Sequence, residues 1–193
     1  MSRLWKLALA LTFTGMWAAV AMATPVTCLP NAERVATLDS AVICLTGNDD
    51  NIHSPAQVSA LFGGVWVKEG ELTGNGSDDL FTVALTSGSW GGNDVAGTWS
   101  LDSSFWSTYG LAVITMHVGH GNGNPDYFAW SVTPGVTSGS FSYKDLDGRG
   151  GGLSNLFLFG SGTSITRLSE SGVGLLWAIG LFAVILARRR VSL

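Results

Sequence analysis

Charged residues are scarce in this 193-residue chain, at 12% of the total, and basic residues are the scarcer sign. Residues 24–170 hold all 14 acidic residues but only five of the ten basic ones, which gives this stretch a net charge of −9. A nucleic-acid partner would require a basic patch, so the composition excludes one, and it offers anionic lipid no attraction. The acidity is typical of a solubilised surface, with cation binding as the alternative.

Cysteine is rarer still, because Cys28 and Cys44 are the only two and no C-x-x-C is present. An even pair in an exported chain is usually a disulfide, and a metal or redox role is the alternative. The closed loop of about 17 residues would stabilise the fold by about 3 kcal/mol in the chain-entropy model. With both thiols oxidised and no G-x-S-x-G motif, we predict a protein that is not an enzyme and uses no cofactor.

The N-terminus has the three parts of a secretory signal peptide. Arg3 and Lys6 precede an apolar run at 7–20, and Ala21-Met22-Ala23 supplies an A-x-A cleavage site. We therefore predict a signal peptide over residues 1–23, cleaved after Ala23.

The C-terminus ends in a short hydrophobic segment followed by Arg188, Arg189 and Arg190. The uncharged residues 172–187 would span about 24 Å as a helix, whereas a bilayer core is about 30 Å thick. The arginines would hold the chain end in the cytoplasm and leave the domain outside the inner membrane. The alternatives are an ordinary short anchor and a buried core helix, and a core helix fits poorly with three terminal arginines.

The motif Ser169-Glu170-Ser171, the hydrophobic segment and the arginine cluster together resemble the PEP-CTERM sorting tail, with Ser-Glu-Ser where that family has Pro-Glu-Pro. The domain resembles the same group through several short motifs: Cys44, Gly47-Asn48-Asp49, Leu61-Phe62-Gly63, Trp66, Gly97-Thr98-Trp99 and Gly152-Leu153-Ser154-Asn155-Leu156. The resemblance implies processing by an exosortase and release from a transient inner-membrane anchor. It also implies association with the cell surface, or with the exopolysaccharide of a biofilm matrix, in Gram-negative bacteria. It brings no catalytic residues.

Residues 24–168 read as one β-rich domain. Apolar residues alternate with small ones at 81–86, 98–101 and 128–133, which predicts strands with one face on the core and one on water. Further strands are expected at 65–69, 111–118, 137–143 and 153–159, and one or two helical turns at 55–62. Glycine-rich turns separate these segments. The pattern predicts an all-β, antiparallel β-sandwich, and a jelly roll is one form that it admits.

Five tryptophans lie in this domain. Trp99 and Trp130 fall on apolar faces and are predicted to be core residues. Trp90 and Trp106 lie in or near turns, where an exposed ring could stack on a sugar, but the favoured interpretation is that they are core or turn-anchoring aromatics.

Three groups of acidic or histidine residues are candidate metal sites. Asp145-Leu146-Asp147-Gly148 holds part of a calcium loop but lacks its closing Glu, and residues 48–51 form a second oxygen-rich cluster. His117 and His120, with Asp126 nearby, would converge on a metal only if Gly119 begins a turn. Ordinary turns explain all of these, so no metal is predicted.

Glu69 and Glu71 share one face if the strand is regular, but glycoside hydrolysis needs carboxyl groups on facing sides of the sugar. The leading interpretation is therefore a non-catalytic surface or matrix protein with a structural or adhesive role. A carbohydrate-binding module is the alternative.

Overall fold

The computed structural model describes residues 25–28, 33–48, 51–119, 123–148 and 150–164. The predicted signal peptide, sorting motif, hydrophobic segment and arginine cluster lie outside these residues, as do Asp49, Asp50 and His120. Within the described residues, no helix is long and apolar enough to cross a membrane.

The described chain forms two antiparallel sheets, which confirms the all-β prediction. The strands are β1 (Val26–Cys28), β2 (Arg34–Leu38), β3 (Ala41–Gly47), β4 (Trp66–Leu72), β5 (Gly76–Asp78), β6 (Phe81–Ser87), β7 (Asp94–Leu101), β8 (Leu111–Val118), β9 (Tyr127–Val132), β10 (Ser138–Asp145) and β11 (Leu153–Ser161). The two helices are α1 (Pro55–Phe62) and α2 (Phe105–Thr108). The six-stranded sheet has the order β1-β2-β10-β7-β6-β5, and the five-stranded sheet has the order β3-β9-β8-β11-β4.

The two sheets face each other across one hydrophobic core, so the domain is a β-sandwich. Trp99 of β7 and Trp130 of β9 are both fully buried in this core, as the alternation of their strands predicts. The ring of Phe128 stacks on that of Trp130 with 5.8 Å between centroids. Buried aromatic rings thus contribute much of the apolar area that stabilises the sandwich.

Helix α1 covers the outer face of the five-stranded sheet. It begins at a capping box, in which the Ser54 side chain accepts from the Gln57 backbone N–H and the Gln57 side chain accepts from the Ser54 N–H. Its buried Val58 packs in a second apolar cluster with residues of the sheet, including Phe157 and Ala129. The expectation that Ala129 faces water was therefore wrong, because the helix covers that face and the strand is buried on both sides.

A disulfide joins Cys28 of β1 to Cys44 of β3, with 5.9 Å between the Cα atoms, as predicted. β1 is the edge of the six-stranded sheet and β3 is the edge of the five-stranded sheet. The disulfide therefore fastens the two sheets together along one side of the sandwich.

Candidate functional site

Small hydroxyl side chains cover the outer face of the six-stranded sheet. Strand pairing aligns them in rows: Thr82 lies opposite Ser100 and Ser100 opposite Ser138, while Thr98 lies opposite Ser140. We call this surface the hydroxyl face, and its members are Thr37, Ser77, Thr82, Thr98, Ser100, Ser138, Ser140 and Ser142. Since alternate residues of a strand share a face, the regular pleat spaces these hydroxyls evenly.

Hydrogen bonds between strands orient several of these hydroxyl groups. Those of Thr37 and Ser142 lie 2.7 Å apart, and those of Ser77 and Thr82 also lie 2.7 Å apart. The Ser140 hydroxyl donates to the Asp39 carboxylate, which also accepts the Ser140 backbone N–H at 3.2 Å. The rows are thus held in place before any ligand arrives, which lowers the ordering cost of binding.

A shallow groove of about 450 Å³ crosses the hydroxyl face over β6, β7 and β10. Its lining is Asp39, Thr82, Ala84, Thr98, Trp99, Ser100, Ser138, Gly139 and Ser140. Gly139 makes room for the indole of Trp99, since a Cβ there would lie 2.9 Å from Trp99 Nε1. The lining offers hydrogen-bond donors and acceptors in a fixed pattern, together with one carboxylate.

One exposed ion pair lies at the margin of this sheet, where Lys144 Nζ is 2.8 Å from Asp94 Oδ2. The hydrogen bond to Asp94 raises the pKa of Lys144. A pair this exposed contributes little to stability.

Trp90 is the partly exposed tryptophan of the two sugar-stacking candidates. It lies in the loop between β6 and β7, and its Nε1 donates to Asn75 Oδ1 at 3.1 Å. The same oxygen accepts the Leu85 backbone N–H at 2.9 Å. The ring is therefore anchored, while part of its surface stays open to solvent.

Trp106 is only 8% exposed, and its ring packs edge-on against Phe105 with 5.0 Å between centroids. Its Nε1 donates to the Val136 carbonyl at 2.8 Å. Trp106 is thus a core residue in this structure, which matches the turn-anchor alternative rather than sugar stacking.

The most heavily bonded side chain at the loop end of the sandwich is Arg34, which is 0% exposed. Its Nη1 donates to the Pro125 carbonyl at 2.9 Å and to Asp126 Oδ1 at 3.2 Å. Its Nη2 donates to the carbonyls of Gly119 at 3.4 Å and Gly150 at 2.7 Å. One buried guanidinium therefore holds together three loop segments, which assigns Arg34 a structural role.

Tyr143 lies beside this cluster and donates its hydroxyl to the Gly151 carbonyl. Burial raises the pKa of Tyr143 to about 12, with the Arg34 charge opposing the rise and Asp145 adding to it. Tyr143 therefore stays a neutral hydrogen-bond donor at any physiological pH.

The calcium-loop candidates Asp145 and Asp147 differ in position. Asp145 is buried opposite Arg34 in the strand register, and its Oδ2 accepts the Gly150 N–H at 3.1 Å, whereas Asp147 is exposed. A neighbouring guanidinium opposes cation binding at Asp145. Across the described part of the chain, no group of three or more His, Cys, Asp or Glu side chains is placed to hold a metal ion.

His117 and Asp126 do not converge. His117 alternates with the core residues Met116 and Val118, so it lies on the outer face of its sheet. Asp126 instead pairs with Arg34 on the inner side.

A β-bulge separates Glu69 from Glu71, because the pairing with β11 skips one residue between Lys68 and Gly70. Glu71 then faces Lys68 at 2.8 Å, while Glu69 accepts a hydrogen bond from the Tyr109 hydroxyl. That hydrogen bond raises the pKa of Tyr109 to about 12. The two carboxylates have different partners and do not form a pair.

Sequence reasoning missed Arg34 and the continuity of the hydroxyl face. A signal for the first exists, since Arg34 occupies the same alternating positions as Ala36 and Leu38, which are both buried. The rows across strands depend on register, which one strand at a time does not reveal.

Comparisons with known proteins add no relative: no protein-family model, no curated protein and no solved structure matches this chain.

Proposed function

We propose that this chain is an exported, non-catalytic component of the cell surface or extracellular matrix, with an adhesive role toward exopolysaccharide. The observation that carries this proposal is the hydroxyl face, a flat and regular array of Ser and Thr on a disulfide-fastened sandwich. Polysaccharides present dense hydroxyl groups, and Ser and Thr both donate to and accept from such groups.

The proposed cellular location rests on the sequence of the two chain ends and on the disulfide. The signal-peptide pattern and the tail that resembles a PEP-CTERM sorting signal favour export, transient inner-membrane anchoring and exosortase processing. A disulfide persists in oxidising compartments, which supports a location outside the cytoplasm. Mass spectrometry of the mature protein should find a chain that begins at Thr24 and ends between Ser169 and Ser171. A C-terminus at Leu193 would contradict processing and indicate a retained anchor.

We also infer a jelly-roll type of winding. β2 lies beside β10 and β10 beside β7, while in the other sheet β3 lies beside β9 and β9 beside β8. Lectin domains occur among jelly rolls, although fold analogy alone assigns no ligand.

Adhesion is tested by co-sedimentation of the purified exported protein with the producer's own polysaccharide. The double variant Thr82→Val/Thr98→Val removes two hydroxyls from the groove with little change in shape. Two lost hydrogen bonds of about 0.5–1.5 kcal/mol each should weaken binding by at least about fivefold. Thr73→Val, an exposed threonine outside the hydroxyl face, is the matched control and should bind like wild type.

The outcome that contradicts adhesion is a wild-type protein that does not co-sediment, or a double variant that binds as the control does. A purely structural role would then stand.

The second candidate is a carbohydrate-binding module that stacks a sugar on Trp90, which the partial exposure and anchoring of that ring favour. Trp90→Ala should then abolish binding while Thr82→Val/Thr98→Val retains it. Trp106→Ala is not a useful probe here, because truncating a buried ring costs about 3–5 kcal/mol of stability.

A further inference from the structure

Strand β3 forms an apolar edge on the five-stranded sheet. Among the described strands it pairs with β9 alone, and its two neighbouring residues Val42 and Ile43 are 61% and 49% exposed. The pairing shifts by one residue between Ala41 and Ile43, so Val42 is the extra residue of a bulge. The bulge breaks the alternation of the strand, and both side chains are consequently left at the surface.

The backbone at this edge also has unused hydrogen-bonding capacity. Among the described residues, neither Val42 nor Ile43 makes a backbone hydrogen bond outside its ladder with β9. The N–H and C=O groups of such an edge are satisfied by another extended strand, which adds to the sheet. A β-strand with apolar side chains would therefore match both the backbone groups and the side chains of this edge.

A second copy of this chain supplies such a strand. Residues 40–48 contain no charge, although residues 24–170 carry a net −9, so this edge offers a second copy a contact without local like-charge repulsion. Antiparallel pairing centred between Val42 and Ile43 sets Val42 of one copy against Ile43 of the other and Ala41 against Cys44. Asp39 then lies opposite Thr46, and no acidic residue faces another. We propose that β3 pairs with β3 of a second copy and joins two five-stranded sheets into one.

The disulfide and the size of the contact set the strength of this association. Cys44 is fastened to Cys28, so β3 is already ordered and pairing costs little further conformational entropy. A strand of seven residues is about 24 Å long, and an edge contact of that length buries less than the roughly 1,200 Å² of a standard stable interface. The expected dissociation constant therefore lies between about 1 µM and about 1 mM. A weak contact of this kind becomes effective where many copies are held close together, as on a surface.

The test is sedimentation velocity of the exported protein, whose termini are first identified by mass spectrometry. The concentration series covers the expected dissociation constants, from about 1 µM to about 1 mM. Wild type should shift from monomer to dimer, and Ile43→Lys should weaken dimerisation at least about tenfold, because it sets a charge against the apolar Val42 side chain of the other copy. Val67→Lys is the matched control, since Val67 is 47% exposed on β4, the opposite edge of the same sheet. A mixture of Ile43→Lys and Val42→Glu should form dimers that neither variant forms alone, because these two positions face each other across the proposed pairing.

Hydrogen exchange of the Val42 and Ile43 amides measures directly whether this edge is covered. Protection that grows with protein concentration supports the pairing. Protection that is present at 1 µM and independent of concentration would mean that another segment of the same chain covers β3, and it would overturn the proposal. A monomer at every concentration, or equal effects of Ile43→Lys and Val67→Lys, would overturn it as well. Unchanged circular dichroism and melting temperature establish that each variant is folded.

Discussion

Replacing Arg34 with methionine should remove a large part of the free energy of unfolding of this domain. The substitution keeps an unbranched apolar stem but removes the guanidinium, which has no exposed surface and makes four hydrogen bonds. It leaves the Asp126 carboxylate, whose side chain is 11% exposed, without its ion-pair partner. Three loop carbonyls also lose their donor.

The expected cost is about 3–5 kcal/mol, which is typical of breaking a buried ion pair from one side. Domains of this size are stable by about 5–15 kcal/mol, so the loss is at least about a fifth of the total free energy of unfolding. The melting temperature should fall by roughly 10 °C, at about 2–4 °C per kcal/mol. Urea unfolding under non-reducing conditions measures the free energy of unfolding directly.

Two further variants show whether the ion pair is responsible. Arg34→Met/Asp126→Leu removes both charges and should be more stable than Arg34→Met alone, because no carboxylate is left buried without a partner. Lys68→Met breaks the exposed pair with Glu71 and should cost less than about 1 kcal/mol. The reasoning is refuted if Arg34→Met lies within about 1 kcal/mol of wild type, or if the double variant is no more stable than the single one.

Three other expectations follow from the contacts. Replacing Cys28 and Cys44 with serine should cost about 3 kcal/mol in urea unfolding, and non-reducing peptide maps of the wild type should show the two cysteine peptides linked. The folded-state pKa values of Tyr109 and Tyr143 are raised from 10 to about 12. Their contribution to the free energy of unfolding is therefore complete below pH 10 and should be lost between pH 10 and 12. Tyrosinate absorbance should accordingly show two late transitions, and Tyr109→Phe should remove one of them. Gly152→Ala would place a Cβ 1.9 Å from a carbonyl oxygen of the facing loop, so its melting temperature should fall well below that of Gly74→Ala, where the Cβ meets no atom within 4 Å.

The central strands of both sheets could be predicted from apolar runs, which alternate with small residues in β6, β7 and β9. Phe81 and Val83 point to the core, and β8 begins and ends at the predicted residues 111 and 118. The helix at 55–62 was also predicted correctly, since Ser54 and Pro55 mark its start. Local hydrophobic pattern and turn residues are sufficient to predict an element that has one buried face.

The first three strands were not predicted, because they depend on distant partners. β1 has three residues and gains its place from pairing with β2, and β3 is an edge strand whose apolar residues do not alternate. The site shows the same limit. Alternation predicted a small polar face on β6 and β7, but only the register with β10 reveals that the hydroxyls form continuous rows. Trp106 looked accessible beside its turns, and the carbonyl that holds it lies 30 residues away.

The position of β11 has a mechanical consequence. It is the longest of the described strands, and it lies between β8 and β4 with a ladder on each side. The sequence that resembles a sorting tail begins at Ser169, eight residues beyond the last residue of β11, Ser161, so tension from an attached tail would reach the sandwich at β11. Ladder hydrogen bonds run perpendicular to the strands, and a pull along the strand therefore loads both ladders in shear, so that many bonds must fail together. If the domain is held by such a tail, this arrangement should resist forced unfolding better than a pull on an edge strand, whose bonds would open one at a time.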